Sequence, residues 1–326
     1  MAELTLVEAV NMALAWELAR DPDVLLLGED IGLNGGVFRA TDGLQSRFGE
    51  RRVIDTPLAE ALIAGMAVGL STQGLKPVAE IQFMGFIYST IDTMLNHASR
   101  MRNRTRGRLS CPMVLRAPYG GGIHAPEHHS ESTEALFAHM PGLRVVIPSS
   151  PGRAYGLLLA AIRDPDPVVF LEPKRIYRLH KERLHDTGEA LPLDVCFILQ
   201  EGEDITLVSW GAMLQETLAA AESLELQGVS AEVIDVATIK PLDIQTILDS
   251  VEKTGRCVIV HEAARCGGVG AEIAALLAEQ GLTFLLAPVQ RVTGYDTVMP
   301  LYRLENAYMP SVQRIVKAAN EALEYA

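Results

Sequence analysis

The sequence predicts an α/β protein made of two successive, doubly wound domains with largely parallel sheets. Three observations predict it. Short, near-continuous apolar runs such as DVLLLGED, KPVAEIQF, PMVLRAP and PVVFLEP read as strands buried on both faces. Segments of helical period lie between them. From about Leu179 to Gly202 the alternation breaks into polar, poorly periodic sequence (HKERLHDTGEALPLD) and then resumes. The expected domains are 1–185 and 203–326, with a linker region at 186–202.

Taken in order, TLVEAVNMALAWELA opens with Thr5 and Glu8 at capping-box spacing and continues as a helix. DVLLLGED is a strand ending in a turn. RRVIDTP is a second strand, followed by the Ala/Gly-rich helix that holds Glu60. KPVAEIQF is a strand and IYSTIDTMLNHASRM a helix. PMVLRAP, LRVVIP and PVVFLEP are strands, with the helix SPGRAYGLLLAAIRD between the last two. Beyond the linker, strands DITLVSWG, SAEVIDV, RCVIVHEA and FLLAPVQRV alternate with four helices, LQETLAAAESLELQG, LDIQTILDSVEKTG, GAEIAALLAEQG and SVQRIVKAANEALEYA.

Composition narrows the function classes. At roughly 150 residues per domain, 326 residues suit two cores. The net charge of −13 argues against nucleic acid or an anionic membrane as partner. Cys111, Cys196, Cys257 and Cys266 are scattered, as expected of reduced thiols. No basic leader opens the chain and no apolar run approaches the ~20 residues that span a bilayer. A soluble, cytoplasmic protein is expected.

Four stretches carry possible chemistry. RMRNRTRGR places arginine at every second position from Arg100 to Arg108; in an acidic chain this reads as a solvated or subunit-facing segment rather than a phosphate patch. CGGVGAE follows a strand and opens a helix, but it lacks the G-x-G-x-x-G spacing, so tight packing explains it better. GGGIHAPEHHSES is a loop carrying His124, His128 and His129. Adjacent histidines rarely share one metal, whereas a loop histidine suits proton transfer near neutral pH. Finally, Glu60 sits in a helix that is apolar all round, which predicts burial. It is either a first-turn acid favoured by the helix dipole or a carboxylate kept for a bound group. Physics alone leaves both open.

The blocks LGEDIGLNGGVFRATDGLQSRFGERRVIDTPLAE, KPVAEIQFMGFI, HHSESTEALFAHMPGLRVVIPSSP, AAIRDPDPVVFLEPKRIYR and PLDIQTILDSVEKTGRCVIVHEA span the chain in order. Together they resemble the beta subunit of the decarboxylating component of 2-oxo acid dehydrogenase complexes. The resemblance implies a transketolase-like pyrimidine-binding domain followed by a transketolase C-terminal-like domain. It implies thiamine diphosphate as cofactor and an α2β2 heterotetramer with an alpha subunit. In that family the Glu of D-T-P-L-x-E, here Glu60, bonds a pyrimidine ring nitrogen and drives the tautomer change that activates the cofactor. Leu58 would line the same pocket, Gln82 and Phe86 would flank the pyrimidine, and His129 would handle protons during transfer to the lipoyl group. Glu131 stands where the family usually has Gln, a change that would raise the pKa of His129. A structural potassium ion is implied at Met113, Ala161, Ile162, Asp164 and Asp166.

The resemblance also implies what lies elsewhere. The G-D-G motif that holds magnesium and diphosphate is not in this sequence, and the family carries it on the alpha subunit. The second domain would meet the subunit-binding domain of the acyltransferase core, whose lipoyl domain takes the acyl group. GGGIHAPE resembles bacterial pyruvate dehydrogenase beta chains more than branched-chain ones, so pyruvate is the expected 2-oxo acid. Acetoin and branched-chain relatives are the nearest alternatives. A non-catalytic docking scaffold is the alternative of a different class, and the presence of Glu60, Gln82, Phe86 and His129 argues against it.

Overall fold

Every apolar run read as a strand between Val24 and Pro173 forms one, and all pair in parallel. This is so in the computed structural model, which describes residues 2–325. Met1 and Ala326, the outer limits of the expected domains, lie outside the described residues. The chain divides into two units: residues 2–119 with 136–193, and residues 120–135 with 194–325. The boundary at Leu193 falls within the segment read as a linker. The transfer of residues 120–135 to the second unit has no counterpart in the sequence reading.

In the first unit the strands lie in the order Arg144–Val146, Val168–Pro173, Val114–Tyr119, Lys76–Glu80, Val24–Gly28, Val53–Asp55. Since all run the same way, Gly28, Asp55 and Glu80 end at one edge of the sheet. The carboxyl edge of such a sheet is where α/β proteins place ligands. Helices Leu6–Arg20 and Pro151–Arg163 pack on each other, with Arg163 donating to the buried Glu17 at 2.6 Å. Thr5 and Glu8 form the expected capping box, the backbone N–H of Thr5 meeting the Glu8 carboxylate at 2.8 Å. That bond holds the Glu8 pKa below its ordinary value.

In the second unit the parallel order is Gln290–Thr293, Cys257–His261, Ile205–Ser209, Ala231–Asp235, with Phe197–Gln200 added antiparallel at the edge. Helices Leu214–Glu225, Ile244–Thr254, Val269–Gln280 and Val312–Leu323 alternate with these strands. Asp243 and Ser311 cap two of them through the N–H groups of Thr246 and Arg314.

Three expectations are corrected. IYSTIDTMLNHASRM is not one helix but a 3₁₀ turn at Met84–Thr90, short turns from Ile91 to Ala98 with the last one wide, and a turn at Met101–Arg104. Its Ser and Thr side chains bond backward to backbone carbonyls, Thr90 to Ile87 and Ser99 to Leu95, and so compete with a regular ladder. FLLAPVQRV yields a strand only from Gln290, because Pro288 cannot donate to a ladder. The polar region is not wholly irregular: Glu182–Leu184 pairs antiparallel with Ala2–Leu4. The arginines at 100, 102, 104, 106 and 108 are all exposed, in keeping with a solvated segment.

Beneath the carboxyl edge of the first sheet, Arg116 is buried between two carboxylates. It meets Glu172 at 2.6 and 3.0 Å and Glu80 at 2.8 Å, while the Tyr177 hydroxyl donates to Glu172 at 2.6 Å. One cation cannot neutralise two anions. Burial, and after it the Glu172 charge, push the Glu80 pKa up against the pull of Arg116. Burial works against the charged form of Arg116, but Glu172 and Glu80 more than offset it and keep the guanidinium protonated. Replacing Arg116 by Met should cost about 3–5 kcal/mol of stability, since two buried carboxylates lose their cation. A carboxyl with a raised folded pKa binds its proton more tightly than in the unfolded chain, so its contribution is lost as pH rises above its ordinary 4.5. Urea unfolding of Glu80→Gln and wild type from pH 4.5 to 8 should therefore show the variant gaining on the wild type as pH rises; a constant difference would refute the raised Glu80 pKa.

Candidate functional site

Glu60 is the first residue of the helix Glu60–Thr72. The strand Val53–Asp55 ends against the loop that follows Gly28: Thr56 donates to the Gly28 carbonyl at 2.9 Å, and Asp55 accepts from the Gly32 N–H at 2.6 Å. Pro57 and Leu58 then turn the chain into the helix. The expectation of a fully buried Glu60 is corrected, for Glu60 is half-buried. The helix is also not buried all round. Ile63, Ala64, Ala67 and Val68 face the core, but Ala61, Leu62, Gly65 and Gly69 are exposed, and a Cβ placed at either glycine would touch nothing. Leu58 is 72% exposed, a large apolar side chain in the open beside a carboxylate.

A residue the sequence reading passed over stands next to Glu60. Glu29 follows the neighbouring strand Val24–Gly28 and is half-buried, and burial followed by the charges of Asp30 and Glu60 raises its pKa. Its signal was the same acidic GED turn after a buried strand, which the pattern treated only as an ending.

Gln82 and Phe86 follow the strand Lys76–Glu80, both half-buried. Phe86 meets Phe83 edge-on at 5.9 Å, Phe83 meets Phe38 at 5.4 Å, and Phe38 meets Tyr177 at 5.2 Å. This aromatic line ends on Tyr177, hence on the Arg116 cluster. Gly36, at φ 78°, allows the loop carrying Phe38 to pass over that cluster, because a Cβ there would stand 2.9 Å from the Glu80 Oε1. Leu58, Glu60, Gln82 and Phe86 are thus all borne on the carboxyl side of one sheet.

His129 belongs to the second unit, where it is half-buried. Its ring lies 4.3 Å from that of His128. The loop is closed by the Gly120 N–H on the Glu131 carbonyl at 2.9 Å. Among the described residues no three His, Cys, Asp or Glu side chains gather as metal ligands. Burial, then the charges of Glu262, Glu131, Asp296 and Glu134, push the Tyr308 hydroxyl up to about 12.

The positions suggested for potassium all lie in the first unit. The Met113 carbonyl accepts from Val168 at 2.9 Å, the Ala161 carbonyl from Asp164 at 3.4 Å, and Asp164 Oδ1 from Asp166 at 2.8 Å, with Ile162 in the same turn. Arg144 and Arg102 pair with Asp164 and Asp166 at 3.0 and 2.7 Å. The Met113 and Ala161 carbonyls and the Asp164 and Asp166 carboxylates thus already have partners within the chain.

Comparisons with known proteins bear on this geometry. Residues 2–180 match the family model described as transketolase, pyrimidine binding domain, and residues 196–315 the one described as transketolase, C-terminal domain. A pyruvate dehydrogenase E1 component subunit beta of Staphylococcus epidermidis is 49% identical over 325 residues, covering all of both chains. A subunit of the same name from Staphylococcus aureus is 47% identical over the same span. A solved structure named as a split gene transketolase, inactive beta4 tetramer, superposes with a TM-score of 0.81 over 99% of each chain; at 24% identity it attests the fold alone.

Proposed function

Because this chain belongs to the family of pyruvate dehydrogenase E1 component beta subunits, built on the two transketolase domains, we propose that it acts with an alpha subunit in an α2β2 enzyme. That enzyme decarboxylates a 2-oxo acid, pyruvate in the first place, and transfers the acyl group to a lipoyl domain of an acyltransferase core. The observation that carries the reading is the helix begun by Glu60: a half-buried carboxylate, an exposed Leu58 and a bare apolar outer face make half of a site.

The residues present fit an aminopyrimidine. Glu60 can share a proton with a ring nitrogen, Leu58 and Phe86 offer apolar and aromatic surface, and Gln82 a polar edge. When bound, thiamine diphosphate supplies the electron sink that lets the carboxylate of a 2-oxo acid leave as carbon dioxide. The chain's own part is to hold the pyrimidine and move a proton at Glu60, and to supply His129 for acyl transfer. The alpha subunit would hold the diphosphate and magnesium. Met113, Ala161, Ile162, Asp164 and Asp166 would hold potassium as a structural ion. The acidic second domain would face the basic subunit-binding domain of the core. We place the enzyme in the cytoplasm.

The direct test mixes this chain with its alpha subunit, thiamine diphosphate and magnesium, and follows decarboxylation with an artificial electron acceptor. Turnover of pyruvate only in the mixture is expected; turnover by this chain alone would overturn the half-site, and turnover of acetoin instead would change the substrate. In the same assay Glu60→Gln should assemble normally but lose about 100-fold or more in rate, the scale of a lost proton transfer. His129→Ala should slow acyl transfer to the lipoyl domain more than decarboxylation, and equal losses in both steps would deny it that role. Thermal unfolding of this chain should begin higher in potassium chloride than in choline chloride at equal ionic strength. Identical midpoints would remove the potassium assignment.

A further inference from the structure

The loop that carries His129 begins with a backbone of unusual shape. Gly120, Gly122 and His124 have φ of 87°, 79° and 57°. Alternation of this kind turns successive N–H groups toward one side and makes a concavity for an anion. Here the chain fills it with its own carboxylates. Glu262, buried after the strand Cys257–His261, accepts from the Gly121 N–H at 2.7 Å. Its carboxylate occupies the place a Cβ on Gly120 would need. Glu305, 1% exposed in the helix Tyr302–Tyr308, accepts from the N–H of Gly122 at 3.0 Å and of His124 at 3.1 Å, and stands 2.8 Å from the His124 Nδ1.

These partners are remote in sequence, so the loop's shape is imposed on it and is not intrinsic. A left-handed conformation is uncommon for a residue with a side chain, and the paired contacts of Glu305 offset it at His124. The rest of the loop follows as one piece. His129 donates to the Pro126 carbonyl at 2.9 Å, Ser130 to the Glu127 carbonyl at 2.8 Å, and Gly120 to the Glu131 carbonyl at 2.9 Å. Turning the clamped end therefore turns the histidine.

We propose that Glu305, supported by Glu262, is a positioning residue: its buried carboxylate holds the Gly122–His124 backbone and thereby sets the place of the His129 side chain. This rests on the role given to His129 above, and a displacement on the order of 1 Å is enough to cost such a group about a hundredfold in rate. Nothing in the argument requires Glu305 to touch substrate.

The test uses the assembled complex with the alpha subunit and compares Glu305→Ala, Glu305→Gln and Glu305→Asp. Hydrogen exchange of residues 120–131 is the readout independent of activity. In Glu305→Ala it should speed about tenfold or more, with exchange elsewhere unchanged. Acyl transfer to the lipoyl domain should fall about tenfold or more while decarboxylation falls less. Gln keeps an oxygen that accepts the two N–H groups and should restore most of both. Asp keeps the charge but withdraws it by one methylene, so it should do worse than Gln, a comparison that stands even if the alanine variant does not assemble. The double variant with His129→Ala should be no slower than His129→Ala alone. Unaltered exchange in Glu305→Ala, additive losses in the double variant, or Gln no better than Ala would each overturn the proposal. If His129→Ala leaves acyl transfer intact, the role of His129 fails, and loop exchange then decides the clamp by itself.

Discussion

The first unit depends on one buried guanidinium. Arg116 joins three adjacent strands through Glu80 and Glu172, and Tyr177 completes the cluster from beyond the sheet. Such an arrangement is a poor source of net stability, because desolvating three charges consumes much of what their attraction returns. What it supplies is register. Glu80 is the last residue of its strand, so fixing Glu80 fixes where Ile81, Gln82 and the turn bearing Phe86 begin. From the other side, Tyr177, Phe38 and Phe83 carry the constraint to the Phe86 ring through edge-on and tilted contacts. Aromatic pairs of this kind add about 0.5–1.5 kcal/mol each beyond their area, and they resist sliding. The surface proposed for the pyrimidine is thus held by charge underneath and by rings at the side.

The second unit solves the same problem by different means. The glycines of its loop leave the backbone free to take many shapes. Two buried carboxylates, accepting backbone N–H groups, select one. Both units therefore use buried acids as organisers: in one they are gathered on a cation, in the other on amide dipoles. In each, the acids come from strands or helices far away in the chain, which ties local geometry to the integrity of the whole unit.

Much of this was legible in the sequence, and the reasons for the remainder are physical. Strands such as Val24–Gly28 and Val168–Pro173 are apolar on both faces, and a continuous apolar run leaves few alternatives. The start of the first helix was visible in the capping-box spacing of Thr5 and Glu8. Three-residue strands, Ala2–Leu4 and Glu182–Leu184, are too short to show a period, and their pairing is a matter of tertiary contact. The irregular turns from Met84 to Arg104 arise from Ser and Thr hydroxyls competing for carbonyls, which a hydrophobic pattern does not register. For the site, Glu60 was marked by its apolar setting, but its degree of burial was misjudged: apolar sequence on every side of a helix says that it will be covered, not by what. Glu262 and Glu305 carried no signal, since an acid after a strand or in a short helix looks like any surface acid until its partners are placed beside it.

The helix begun by Glu60 carries the argument beyond the chain. Each glycine inside a helix costs roughly 0.5–1 kcal/mol relative to alanine, chiefly in lost backbone freedom. Within a folded chain that cost is commonly offset by close approach of another backbone or side chain, as where Gly156 of the helix Pro151–Arg163 lies against Leu191. At Gly65 and Gly69 no such neighbour exists among the described residues, and Leu58 and Leu62 add exposed apolar surface on and beside the same helix. Every part of that face works against the isolated chain. It is intelligible if a second backbone is to lie close along the helix, excluding water from Glu60 and giving its proton somewhere to go. The alpha subunit proposed above would meet that requirement, and on that proposal the bare face and the half-buried carboxylate become two consequences of one design.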